Sequence, residues 1–285
     1  EPVTSSHMER TFARTVTAPP PRPGFIGEGH TAVEVVTSSA LEATDPFVLL
    51  MDDRLDLARR RVIGGPHPHA GLETVTLLLE GTLGDRDEGE LVAGDAVWMT
   101  AGRGVIHNEH VEAEGRARVL QLWVRLSKAD RAAPPRYEVI RGAEAPVRRE
   151  SGVTARLYSG RTGELVSATK NHVPVTMVDL RLEPGASFEQ ALPSTYNGFV
   201  YVLEGSLRAG EGPWLQAGQV GWLGAGDGAL RLVARGDGAR AVLYAGERQN
   251  EPLIHHGPFV ADDERTLVRM FQDYQAGTFT RLSAL

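Results

Sequence analysis

The motif "HPHAGLETVT" places His67 and His69 on either side of Pro68, and "GVIHNEH" places His107 and Glu109 on either side of Asn108. On an extended strand, residues i and i+2 point to the same face. Each pair would therefore aim its two side chains in one direction. Three imidazoles and a carboxylate without any thiolate suit Fe(II), and also Mn, Co, Ni or Zn. A single HxH is more often a polar strand edge than a ligand pair. Two such pairs flanking one strand–turn–strand favour a metal centre. The chain has nine histidines, and the others have plainer readings. His110 falls on the opposite strand face from His107. His255 and His256 precede Gly257-Pro258 in a loop, and His172, His30 and His7 have no partner in the sequence.

The elements that must carry these residues read as β. Thr74 to Leu79 is β-branched and apolar and turns at Glu80-Gly81, and Glu90 to Met99 reads as strand–turn–strand around Ala93-Gly94-Asp95. Arg118 to Leu126 alternates apolar and polar residues, so one face should be buried. Further strands are expected at Val173 to Leu182, Phe199 to Leu203 and Ala241 to Ala245. Short strands at close spacing, divided by Gly and Asp, predict a sandwich or barrel. Pro68 is tolerated at a strand start or edge, which suits a barrel mouth. A short C-terminal helix is expected over about 262–276, with Leu267, Met270, Phe271 and Tyr274 on one face and Gly277 as its C-cap.

The chain also repeats itself. LEGTL at 79–83 returns as LEGSL at 203–207, and AGDAVWMTAGRG at 93–104 returns as AGQVGWLGAGDG at 217–228. Gly81, Gly94, Trp98 and Gly104 all recur 124 residues later without a gap, which marks a duplicated domain. Under the same shift His67 falls on Ala191, His69 on Pro193, His107 on Arg231 and Glu109 on Val233. The second copy keeps the glycines and tryptophan and none of the ligands. The histidines are therefore not needed for the fold, and a metal site belongs to the first copy alone. The expected organisation is an N-terminal arm at 1–24, a metal-binding barrel at 25–135, and a ligand-free barrel with the helix at 136–285. Pro134-Pro135 marks the boundary. The arm contains proline-rich "TAPPPRPG", and "SSHM" resembles a cloning remnant over residues 1–7, with Met8 as the natural start.

Composition removes several functions. A net charge of −7 and a pI near 5.8 argue against phosphate-driven nucleic-acid binding. With no cysteine, disulfides, thiolate metal sites and cysteine nucleophiles are excluded. No apolar run reaches the ~20 residues of a membrane helix, and no signal-peptide core opens the chain. The sequence reads as cytoplasmic.

"HPHAGLETVTLLLEG", "GDAVWMTAGRGVIHNE", "DPFVLLMDDRL" (45–55) and "NEPLIHHGPFVADDERTLVRMFQDYQAGTF" (250–279) resemble the pirin family of the cupin superfamily. The likeness runs from about residue 10 to the end. It implies an all-β bicupin: two stacked antiparallel β-barrels of jelly-roll type with a short C-terminal helix. It also implies iron in the N-terminal barrel, held by His67, His69, His107 and Glu109. In the wider superfamily the glutamate four residues after the second histidine, here Glu73, is often the ligand. Glu109 is taken as the ligand and Glu73 as a residue supporting the site, though both odd-numbered positions Glu73 and His69 would share a strand face. The activity implied is that of a quercetin 2,3-dioxygenase, opening a flavonol-like substrate with O2, with Glu109 or Glu73 as the base. The alternative is a redox-sensitive regulator that binds a protein partner, a metabolic enzyme or transcription factor, without turnover. There the extra charge of Fe(III) over Fe(II) would alter the surface near the barrel mouth.

Overall fold

The computed structural model describes residues 8–85, 89–107 and 111–285. Residues 1–7, where the cloning remnant was expected, lie outside the described residues. So does Glu109, with Asn108 and His110. The chain forms two compact units. One holds Pro19–Glu144, Asn171–Val173 and Gln249–Leu285; the other holds the chain up to Ala18, Ala145–Lys170 and Pro174–Arg248.

Strand β1 (Phe12–Thr17) belongs to the second unit. The main sheet of the first unit is built from β2 (His30–Val36), β3 (Phe47–Ile63), β5 (Leu72–Glu80), β6 (Ala96–Thr100), β8 (Val111–Arg125) and β9 (Arg136–Ile140). Its order is β9-β6-β5-β8-β3-β2, antiparallel throughout. A small sheet pairs β4 (His67–His69) with β7 (Val105–His107), and Thr280–Arg281 runs parallel on the other side of β7. In β8 the period-two pattern predicted from sequence holds. Leu120, Leu122 and Val124 are fully buried on one face, while Val119, Gln121 and Trp123 line a cavity on the other.

The second unit contains β10 (Val153–Ser159), β11 (Val175–Leu182), β12 (Tyr196–Ala209), β13 (Gln219–Leu223) and β14 (Leu230–Glu247). Its order is β1-β13-β12-β14-β11-β10. Val178, Leu180, Val200, Val202, Leu223, Leu243 and Ala245 are among the side chains packed into its interior.

The duplication is realised strand by strand. Val75 faces Trp98 across β5 and β6, and Phe199 faces Trp222 across β12 and β13, the same pair 124 residues on. Gly81 and Gly205 both take positive φ, +87° and +68°. A Cβ at Gly81 would come within 2.3 Å of the Arg116 carbonyl oxygen, and one at Gly205 within 2.0 Å of that of Gly238. Each copy thus needs glycine for the same two reasons, conformation and close backbone approach.

Three boundaries differ from the sequence expectation. β9 follows Pro134-Pro135 but stays in the first unit, where its backbone pairs with β6 from Arg136↔Thr100 to Ile140↔Ala96. The prolines interrupt the chain locally; the open edge of β6 still needs hydrogen-bond partners. Residues 12–17 are not a free arm, because β1 caps the edge of β13 from Phe12 to Thr17. The C-terminal segment packs in the first unit rather than the second. Its helix (Glu264–Gln275) is N-capped by Asp263, which accepts from the Thr266 N–H at 2.7 Å, and Gly277 follows with φ +74°. Met270 of the helix joins Ala70, Phe259 and Phe279 in one buried cluster, with Leu267 and Phe271 packed against it. No helix of the described residues is long and apolar enough to cross a membrane.

Candidate metal centre

The antiparallel register of β4 and β7 sets His107 directly opposite His67, and Val105 opposite His69. His67 and His69 share a face by strand alternation, so all three imidazoles converge. One ring nitrogen from each lies within 4.8 Å of the others. The ring centroids of His67 are 4.9 Å from His69 and 5.1 Å from His107. His69 and His107 are buried, and His67 is half-buried.

The chemistry of this cluster suits a divalent cation. His67 donates its Nδ1 proton to the Gly65 carbonyl at 2.8 Å, which leaves Nε2 with its lone pair. His69 Nδ1 is buried with no hydrogen-bond partner among the described residues. Burial, and then the neighbouring His67 and His107, push the His69 imidazole well below its ordinary pKa. The neutral form is the one that ligates a metal. Trp123 stands edge-on to His69 at 5.4 Å and fixes the ring from the side. These residues fit the cation that the motifs imply.

Glu73 is not part of the cluster. The expectation that it shares a face with His67 and His69 is corrected by the break between β4 and β5. Gly71 takes φ +81° there, and Ala70 N–H donates to the Pro258 carbonyl instead of continuing a strand. Alternation therefore restarts at Leu72. Thr74 and Thr76 line the cavity, and Glu73 turns to the opposite face. It is fully buried, accepting from Thr100 Oγ1 at 2.5 Å and from the His172 backbone N–H at 3.1 Å. Burial raises its pKa, against the pull of both donors. His172, which has no partner in sequence, is thereby tied to Glu73.

The cluster opens into a cavity of about 940 Å³, at the upper end of the ~300–1,000 Å³ usual for small-molecule sites. Leu49, Met51, Val97, Met99, Val119 and Trp123 give it apolar walls. Two polar pairs interrupt them. Thr76 Oγ1 donates to Gln121 Oε1 at 2.7 Å. His30 Nε2 bonds Asp53 Oδ1 at 2.7 Å, while His30 Nδ1 accepts from the Ile26 N–H at 3.3 Å. Sequence reasoning missed this second pair. His30 lies opposite Leu55 and Ala32 opposite Asp53, so only the strand register makes His30 and Asp53 diagonal neighbours. No spacing in the sequence signals it. In the second unit, Ala191, Pro193 and Arg231, reached from the three histidines by the 124-residue shift, are all exposed, and Arg231 pairs with Glu189 rather than with Ala191.

Both halves of the chain are similar to known proteins. Residues 29–124 match the Pirin family and residues 177–280 the Pirin C-terminal cupin domain. Human Pirin is 35% identical over 82% of this chain and 83% of its own. The crystal structure of quercetin 2,3-dioxygenase from Acinetobacter baumannii superposes with a TM-score of 0.82 at 25% identity, covering 95% of this chain and 99% of that one. The bacterial pirin YhhW from Escherichia coli, solved in complex with nickel(II), shares the fold at a TM-score of 0.61 and 17% identity over 82% of this chain and 100% of that one.

Proposed function

This chain belongs to the pirin family, and on that footing we propose that it is an iron-dependent dioxygenase of the quercetin 2,3-dioxygenase type, acting on a flavonol-like substrate with O2. The observation that carries the reading is the three-histidine cluster opening into a large, mostly apolar cavity. A protein that only docked a partner would need no such internal space, which favours turnover over the regulatory alternative. The similarity to the Acinetobacter enzyme over nearly the whole chain supports the same choice.

His67, His69 and His107 would hold the iron, with Glu109, two residues beyond His107 in sequence, as the fourth ligand. When bound, the metal supplies Lewis acidity toward an oxygen of the substrate. The chain's own residues do the rest. Met51, Met99 and Trp123 offer flat and pliable apolar surface for aromatic rings, and together with the neighbouring leucines they exclude water. Glu109 would take the hydroxyl proton of the bound substrate. Glu73, expected from sequence as an alternative base, faces away from the cavity lining and braces β5 against β6 through Thr100.

Anaerobic reconstitution with Fe(II), metal quantification per chain, and oxygen uptake on adding quercetin test the proposal. Iron near one per chain with quercetin-dependent uptake is the expected result. Stoichiometric iron without uptake would move the reading to the redox-sensitive regulator. No stoichiometric metal would remove the metal centre altogether.

A further inference from the structure

The cavity has a second polar end. Trp123, beside His69, is followed along β8 at two-residue steps by Gln121 and Val119, all lining the cavity. At ~3.3 Å per residue, Val119 lies about 13 Å along the strand from Trp123. Asp53 stands directly opposite Val119. The His30–Asp53 pair therefore sits remote from the histidine cluster within one cavity.

The hydrogen bonds of this pair fix what it can offer. His30 Nδ1 accepts from a backbone N–H, so its proton is on Nε2 and is donated to Asp53 Oδ1. The His30 side chain is 1% exposed, whereas that of Asp53 is 25% exposed. Gly24 is pressed against His30: a Cβ there would come within 2.0 Å of Nδ1. The imidazole is thus clamped and holds the carboxylate by one oxygen. Asp53 Oδ2 has no partner among the described residues. A carboxylate oriented in this way accepts a hydrogen bond from a ligand hydroxyl and repels an anionic one.

We infer that Asp53, oriented by His30, is the far anchor of the cavity, selecting flat aromatic ligands that carry a phenolic hydroxyl on the end remote from the metal centre. The inference rests on the reading of the cavity as a flavonol site and adds a specificity residue to it. His30 acts through Asp53 and is a positioning residue.

Two ligands and one variant test it. Quercetin carries hydroxyls on both outer rings, and 3-hydroxyflavone carries none there. Their binding is read anaerobically by quenching of tryptophan fluorescence, in protein with and without Fe(II). Asp53→Asn keeps the shape and the bond from His30 but replaces the open oxygen with an amide. Native protein is expected to bind quercetin about tenfold more tightly than 3-hydroxyflavone, the size of one hydrogen bond to a charged group. Asp53→Asn should remove most of that preference and leave 3-hydroxyflavone binding within about twofold, which also reports an intact cavity. An unchanged preference in the variant, or an equal loss for both ligands, would overturn the anchor while leaving the flavonol site standing. If native protein bound neither ligand, the flavonol reading itself would fail and the anchor with it.

Discussion

His107 lies directly across from His67 in an antiparallel pair, with 5.1 Å between ring centroids. Side chains opposite one another on neighbouring strands share a face, as do i and i+2 on one strand. That single register converts two sequence motifs into one three-nitrogen cluster. A slip of one residue in β7 would turn His107 to the other face and dissolve the site.

The cluster should be dispensable for folding. The second unit forms its sheet without histidines at the shifted positions, Ala191, Pro193 and Arg231, and its corresponding strand pair sets Arg231 opposite Glu189. His67→Ala or His107→Ala is expected to abolish stoichiometric iron while costing the metal-free protein no more than about 1–2 kcal/mol. Circular dichroism and denaturant midpoints check the fold, and metal analysis checks the site. In the native protein iron should raise the Tm, and chelation should return it to the metal-free value without unfolding at room temperature. Collapse of either variant would show that the imidazoles are structural.

The two candidate carboxylates should separate cleanly. Glu73 is held on the far face by Thr100 and the His172 N–H, so Glu73→Gln should retain iron at the native stoichiometry. Glu109→Gln should weaken retention. The opposite order in a metal-retention assay would transfer the fourth-ligand role to Glu73.

Gly71 is the hinge of that distinction. Its φ is +81°, and a Cβ would come within 1.9 Å of the Val260 carbonyl oxygen. Gly71→Ala is expected to cost about 3 kcal/mol or more, from backbone strain together with the displaced segment. Because Gly71 joins β4 to β5, iron affinity should fall as well. A denaturant midpoint close to that of the native protein would mean that the Val260 segment gives way easily.

The all-β fold, the duplication and the convergence of His67, His69 and His107 were legible in the sequence, because strand alternation and glycine-marked turns are local signals. The face of Glu73 was not. Counting by twos from His69 assumes an unbroken strand, and Gly71 breaks it. The unit boundaries were not legible for a similar reason. Pro134-Pro135 is a local signal, but the pairing of β9 with β6 and of β1 with β13 is decided by open sheet edges far away in the chain. The His30–Asp53 pair depends on the register of β2 with β3, which no motif encodes.

The two copies also use equivalent interior positions differently. Val200 and Leu243, opposite one another, fill the core of the second unit, while their counterparts Thr76 and Gln121, opposite one another in the same way, line the cavity of the first. Thr76→Val alone leaves the Gln121 carbonyl oxygen without its donor and should cost about 1–2 kcal/mol. The double change Thr76→Val with Gln121→Leu, the pair the second unit has at these positions, replaces both partners of the hydrogen bond by apolar groups of similar size and should return to within about 1 kcal/mol of the native protein. A double-mutant cycle by chemical denaturation measures the coupling. Additive losses would mean that the Thr76–Gln121 bond contributes nothing of its own.

Glu73 also sets a pH dependence whose sign follows from its surroundings. Burial raises its pKa in the fold; the Thr100 hydroxyl and the His172 N–H oppose that shift without cancelling it. The unfolded chain titrates at the ordinary value, so the folded state holds the proton more tightly. Its contribution to stability is therefore fully present below the unfolded pKa and is lost as pH rises through the folded one. Glu73→Gln, an uncharged mimic of the protonated acid, should match the native protein at low pH and exceed its stability at neutral pH. Denaturant midpoints of metal-free protein from about pH 4 to pH 8 span the window. A variant less stable than the native protein at every pH would mean that the two hydrogen bonds to the carboxylate outweigh the penalty of burying its charge.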